Sequence, residues 1–129
     1  MRHQKNKLLE LSTGAKERRI FIRQLLTSLV RTGKVVTTPK RAKILKSEAD
    51  SFFSKLLDIA TRYPDEKDGK RECIRYVQSI IYGEEDGKKV INTWLPKYKE
   101  AGNKSSFVSD YKVGHRVGDA SEKIMLKLQ

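Results

Sequence analysis

The sequence contains a single cysteine, two histidines and no long hydrophobic run. Because Cys73 is the only cysteine, an intrachain disulfide is excluded. Such sparse use of cysteine is typical of a protein from a reducing compartment. No apolar stretch approaches the roughly 18 residues that cross a membrane. The basic N-terminus lacks the apolar segment of a signal peptide. We therefore expect a cytoplasmic protein that has no membrane partner.

Residues that carry catalysis or bind metal ions are equally sparse. His3 and His115 are far apart, and one cysteine cannot complete a zinc site. Neither GxxxxGK[ST] nor GxGxxG occurs. The acidic run 84–86 is interpreted as a favourable helix start rather than an acid/base pair, and Cys73 as a small buried hydrophobe. We expect no catalytic residue, no metal site, no cofactor and no small-molecule substrate.

Positive charge is what the sequence has in excess. It contains 28 Lys and Arg against 16 Asp and Glu, which gives a formal net charge of +12. Residues 1–46 hold 13 basic and two acidic residues, whereas residues 47–103 hold 10 basic and 11 acidic residues. A polyanion is the expected partner, and it should meet the N-terminal third first.

Hydrophobic periodicity predicts one domain with the element order α-β-α-α-α-β-β. Residues 1–13 are expected to form a basic arm and residues 14–129 a single domain that binds the polyanion. Helices are predicted at about 15–32, 39–61, 71–82 and 85–95, and strands at 34–38, 107–113 and 123–128. This order indicates a two-layer α/β (α+β) domain, in which helices cover one face of a small three-stranded sheet.

Local signals predict where the helices begin and end. Gly33 is expected to stop the first helix in the left-handed region, and the Thr38 hydroxyl to cap the second. Residues 65–70 are predicted to form a polar loop, and Pro96 to end the fourth helix. Trp94 is interpreted as a core anchor in preference to a stacking platform for bases.

The segment 34–46 combines a short β-branched strand with a strongly basic helix start. Cations near a helix N-terminus oppose the helix dipole, at about 0.3–1 kcal/mol each when exposed. Four cations there indicate that they serve an external anion, for which phosphate is the natural candidate. The candidate contacts are Thr37, Thr38, Lys40 and Lys43, while Arg41 and Lys46 stay unassigned.

Two further basic segments precede this one. The arm could be ordered by a polyanion groove, or it could be a frayed terminus. The basic row on the first helix has almost no acids to pair with, which favours nucleic-acid contact over a solvated charged face. The candidate contacts in these segments are Arg2, His3, Lys5, Lys7, Lys16, Arg18, Arg19 and Arg23.

Several short motifs, each weak alone, together resemble the bacterial large-subunit ribosomal protein seventeen family over the whole chain. They are Met1-Arg2-His3, Ser28-Leu29-Val30-Arg31, Thr37-Thr38, Lys40-Arg41-Ala42-Lys43 with Leu45, and Arg116-Val117-Gly118-Asp119. The resemblance implies a two-layer α/β fold and a ribosomal component that binds large-subunit ribosomal RNA near the outer end of the nascent-chain exit tunnel. Neighbouring ribosomal proteins would be further partners. The resemblance also adds Arg116 to the RNA-binding candidates.

The sequence departs from this family pattern in two places. The family arm is usually richer in Arg and Gly, whereas here Gln4, Asn6 and the run 8–11 intervene. Before the penultimate strand the family tends to carry Gly-Gly-aromatic-Thr-Arg, whereas here residues 105–109 read Ser-Ser-Phe-Val-Ser. A basic contact at position 109 is therefore missing.

Two other functions compete with a structural role in the ribosome. A free, non-specific nucleic-acid-binding protein would bind any duplex in a salt-sensitive way. An RNA-acting enzyme would need a paired acid/base site, which the sequence does not offer. A ribosomal component is favoured because the basic residues fall on an arm and on helix starts rather than on one recognition helix.

Overall fold

The computed structural model describes residues 16–102 and 104–129. Its helices are α1 (Arg18–Thr32), α2 (Pro39–Arg62), α3 (Glu66–Ile80), α4 (Glu84–Lys89) and α5 (Leu95–Ala101), and its strands are β1 (Lys34–Thr37), β2 (Val108–His115) and β3 (Glu122–Leu128). One π-helical turn, Val90–Trp94, joins α4 to α5 without a break. The predicted α+β class and element order are therefore confirmed. The division into an arm and a domain at residue 13 falls outside the described residues and stays a prediction.

The three strands form one antiparallel sheet with β3 in the centre, in the order β1-β3-β2. Ile124, Leu126 and Leu128 alternate along β3 and are buried beneath the helices, so the helical layer covers this face. Thr37 ends β1 opposite Ile124, and the β2–β3 hairpin continues past that point. Because α2 begins directly after β1, its N-terminus lies at the end of the sheet where the hairpin projects.

An aromatic cluster fills the space between the two layers. Phe53 of α2, Tyr98 of α5 and Phe107 before β2 are almost fully buried. The Phe53 ring centroid lies 5.1 Å from that of Tyr98 and 5.7 Å from that of Phe107. Burial, with the negative charge of Asp50 nearby, strongly raises the pKa of Tyr98. The cluster therefore joins α2 to α5 and to the start of β2.

One half-buried carboxylate fixes the start of β2 against α2. The backbone N–H of Phe107 donates to Asp50 Oδ1 at 2.9 Å. Without this acceptor, the N–H group beside the aromatic cluster would lose its partner. Leaving a buried donor unpaired costs about 1–3 kcal/mol.

Replacing Asp50 with alanine is accordingly expected to lower the free energy of unfolding by about 1–3 kcal/mol, as measured by urea denaturation. Asp58→Ala is the matched control on the same helix. It removes only an exposed ion pair with Arg62, in which the nitrogen and oxygen lie 2.6 Å apart, and should cost about 0.5 kcal/mol. Equal losses in the two variants would contradict the role given to Asp50.

The predicted end of the fourth helix at Pro96 is wrong. The fourth helical segment does not end at Pro96 but runs on to Ala101. Proline lacks an N–H and its ring crowds the carbonyl one turn back. The π-helical turn immediately before α5 changes the spacing of that turn, and Pro96 then occupies the first turn of α5.

The predicted polar loop at 65–70 is instead the first turn and a half of α3. Asp65 is the cap, and its carboxylate accepts from the Lys67 N–H at 3.1 Å. Glu66 and Asp68 place negative charge in the first turn, where the helix dipole favours it. The helix also ends earlier than predicted, at Ile80.

The predicted stop of α1 is confirmed. Gly33 has φ = 82° and its N–H donates to the Leu29 carbonyl at 2.7 Å. A side chain at this position would meet the Trp94 ring at 3.4 Å. Trp94 itself is half-buried, and its Nε1 donates to the Val30 carbonyl at 3.0 Å, so it anchors the last turn of α1 as expected of a core residue.

Candidate nucleic-acid interface

The junction between β1 and α2 leaves polar groups of Thr38 and the first helical turn facing outward. Thr38 is extended, with φ = −75° and ψ = 159°, and precedes Pro39 at the helix start. Its hydroxyl makes no capping hydrogen bond among the described residues, which corrects the prediction that it caps α2. No acidic residue occurs in the first turn. The hydroxyl is therefore available to an external acceptor such as a phosphate oxygen.

The four cations at the start of α2 divide into two pairs. The Arg41 guanidinium lies over the Phe21 ring of α1, 4.7 Å from its centroid. Lys46 Nζ lies 3.1 Å from Asp110 Oδ1 of β2. Its hydrogen bond and charge lower the pKa of that carboxyl. These two cations, unassigned from sequence, thus tie α2 to the rest of the domain.

Lys40 and Lys43 form the second pair. Both are exposed, and neither makes an ion pair within residues 16–102 or 104–129. They belong to the first two turns of α2, which directly follow Thr37 and Thr38 in the chain. We call these four residues the junction site. It suits an anion, because two lysines without carboxylate partners in the described residues occupy the first two turns of α2, near the positive end of the helix dipole.

The basic residues of α1, and Lys16 just before it, have different surroundings from one another. Lys16 and Arg19 are exposed, and Arg18 is half-buried. Arg23 is engaged inside the domain: its Nε donates to the Ile80 carbonyl at 2.9 Å, and its guanidinium lies 4.4 Å from the centroid of the Tyr82 ring. Packing of α1 on the end of α3 is sufficient to explain why an arginine occurs at position 23. RNA contact by any of the four stays a prediction.

Arg116 lies in the turn that joins β2 to β3. Its guanidinium reaches the Asp119 carboxylate at 2.6 and 3.1 Å. The Ser121 N–H and Arg116 together lower the pKa of Asp119. The structure therefore shows Arg116 holding the turn, and its contact with RNA stays a prediction. The arm candidates Arg2, His3, Lys5 and Lys7 lie outside the described residues.

The sequence interpretation overlooked three lysines on the sheet, namely Lys34, Lys123 and Lys127. Lys123 and Lys127 alternate with the buried residues of β3, and Lys34 pairs with Lys127, so all three lie on the sheet face opposite the helices. The alternation of Lys123 and Lys127 with Ile124 and Leu126 was the available signal, because it places the two lysines on one face of the strand. Whether that face is exposed depends on which side of the sheet the helices cover, and only the fold shows this.

The features that would indicate a different class of protein are not found in the described part of the chain. No described helix is both long and apolar enough to traverse a bilayer. No group of His, Cys, Asp or Glu within the described ranges could hold a metal ion. The Cys73 thiol is buried and directed at the Leu56 carbonyl, with sulfur and oxygen 3.8 Å apart. Burial raises the pKa of this thiol, which disfavours the reactive thiolate.

Comparison with known proteins agrees with the motifs. The profile of a family described as "Ribosomal protein L17" matches residues 21–129. A protein of Desulforamulus reducens named "Large ribosomal subunit protein bL17" is 35% identical over 120 residues, which is 92% of this chain and 93% of that protein. Proteins of the same name from Clostridium kluyveri and Clostridium acetobutylicum are 34% and 33% identical over 119 residues, 92% of this chain and 95% and 94% of theirs. This chain belongs to the ribosomal protein L17 family.

Proposed function

We propose that this protein is a structural constituent of the large ribosomal subunit that binds and stabilises folded large-subunit ribosomal RNA through its junction site. Membership of the L17 family and the name shared by its relatives support the ribosomal assignment. The single observation that carries RNA binding is the pair Lys40 and Lys43, exposed at a helix start with no carboxylate partner in the described structure.

The mechanism follows from the charges and donors of the junction site. Lys40 and Lys43 neutralise backbone phosphates and release the counterions condensed on the RNA. The hydroxyls of Thr37 and Thr38 donate hydrogen bonds to phosphate oxygens of the same RNA segment. The contacts read the position of phosphates and not the base sequence, so a folded RNA is recognised by its shape.

The remaining surfaces take the other roles. Helices α3 to α5 are nearly balanced in charge and face solvent or neighbouring ribosomal proteins. The arm, residues 1–13, adds phosphate contacts through its own basic residues. We further propose a cytoplasmic ribosome as the location and a position near the outer end of the nascent-chain exit tunnel. That position has its support in the family resemblance alone.

Sedimentation of the tagged full-length chain tests the assignment. We expect the protein to sediment with large subunits and to remain bound through washing in high salt, because contacts with the shape of the folded RNA persist when salt weakens the phosphate contacts. Crosslinking in intact subunits should then yield large-subunit RNA joined to the junction site. Recovery of the protein only in the soluble fraction would contradict the proposal.

A further inference from the structure

The face of the sheet opposite the helices carries an apolar row across all three strands. Val36 pairs with Met125, and Met125 pairs with Tyr111. Residues that pair across strands share a face, and Met125 alternates with buried residues on either side. Val36 is 52% exposed and Tyr111 51% exposed. No described helix therefore covers this row.

Lysines flank the row along the strands. The set that shares this face, which we call the outer sheet face, is Lys34, Val36, Ser109, Tyr111, Lys123, Met125 and Lys127. It holds three lysines and no carboxylate. Lys123 and Lys127 each lie two residues from Met125, so about 7 Å away along the strand. A flat aromatic and apolar strip is thus bordered by positive charge on both sides.

We infer that the outer sheet face binds an unpaired RNA nucleotide, whose base stacks on the Tyr111 ring while the flanking lysines contact its phosphates. An exposed aromatic ring on a sheet, with basic residues beside it, is the arrangement by which proteins hold splayed-out bases. This inference rests on the proposed function and extends it. The junction site binds the phosphate backbone of folded RNA. The outer sheet face binds a base that is not stacked within an RNA helix.

The positive charge of the outer sheet face favours a nucleotide over the other possible occupants. A second copy of this chain would bring three like charges against three, which is unfavourable. The chain's own arm carries Arg2, Lys5 and Lys7 and would be repelled in the same way. A duplex keeps its bases stacked inside, where the Tyr111 ring cannot reach them. An unpaired nucleotide offers the negative charge that this face lacks and an aromatic base that can stack on the Tyr111 ring.

The test uses the full chain and a labelled short oligouridine, followed by fluorescence anisotropy. Tyr111→Leu keeps apolar area but removes the ring, and should weaken binding about tenfold. Tyr111→Phe keeps the ring and should bind like the parent. Tyr63→Leu is the matched control, because Tyr63 is another exposed tyrosine, at the end of α2. It should leave binding unchanged.

Deproteinised large-subunit RNA, titrated in the same series, distinguishes the two proposals. If Tyr111→Leu binds oligouridine as the parent does, the outer sheet face proposal is wrong, while salt-dependent binding of the folded RNA would leave the proposed function standing. A Tyr111→Leu effect on self-association in sedimentation, with no effect on oligouridine, would also overturn it in favour of a second copy. Failure of the parent to bind the folded RNA would instead overturn the proposed function.

Discussion

Replacing Lys40 and Lys43 together with alanine is expected to weaken binding to large-subunit RNA on the order of 30-fold at 0.1 M salt. Each phosphate contact contributes about 0.7–0.9 to the slope of log K against log salt. Two lost contacts should therefore flatten that slope by roughly 1.4–1.8. Titrations at several salt concentrations, with fluorescence or filter-binding detection, give both the affinity and the slope.

The same substitution should leave the domain as stable as before, or slightly more stable. Both lysines are exposed and lie near the positive end of the α2 dipole, so their removal relieves a small repulsion. Thermal unfolding of the free protein measures this. A marked fall in melting temperature would show that the lysines stabilise the fold, and would remove the main support for the junction site.

A second pair of lysines provides the control for charge alone. Lys55 of α2 and Lys70 of α3 are exposed and make no ion pair in the described residues. Lys55→Ala with Lys70→Ala lowers the net charge by the same amount, but away from the junction. We expect a much smaller change in affinity. Equal weakening by both double variants would indicate diffuse electrostatic attraction and no particular site.

The largest expected loss of stability comes from Phe53→Ala. Phe53 is fully buried, and its ring meets Phe52, Tyr98 and Phe107 with centroids 5.1–5.7 Å apart. Truncation removes the ring and leaves a cavity bounded by rigid aromatic neighbours, which collapse poorly. The expected decrease in the free energy of unfolding is about 3–5 kcal/mol. Urea denaturation followed by circular dichroism measures it.

Tyr63→Ala is a suitable comparison for this core substitution. Tyr63 is 36% exposed and follows α2 as its C-terminal cap residue, so its truncation should cost about 1 kcal/mol or less. If Phe53→Ala were no more destabilising than Tyr63→Ala, the aromatic cluster would not be the centre of the core.

Local sequence signals predicted the β1–α2 junction well because they act over a few residues. Gly33 stops α1, the β-branched run forms β1, and Pro39 opens α2, all as expected. The partners of Arg41 and Lys46 could not be predicted in this way. Asp110 lies 64 residues from Lys46 in sequence, and only the packing of α2 on the sheet brings the two together.

The start of α3 shows where a local signal was misjudged. Gly69 among charged residues reads as a loop, because glycine weakens a helix interior by about 1 kcal/mol. In the fold it is buried, and a side chain there would come within 3.5 Å of the Ala60 carbonyl oxygen. That distance is ordinary van der Waals contact, so the packing does not require glycine at this position. Burial of this turn of α3 is what the segment alone does not show.

The central place of β3 has a consequence for the order of folding. Both β1 and β2 pair only with β3 among the described strands, and the Leu128 N–H donates to the Gly33 carbonyl at 2.9 Å. During synthesis, helices α1 to α5 emerge before residue 122, but the sheet cannot assemble until residue 128 is available. The contacts between residues 34–37 and 124–127 close a loop of most of the chain, which slows folding relative to local helix pairing. The nascent helices must therefore keep their apolar faces away from other chains until β3 is released.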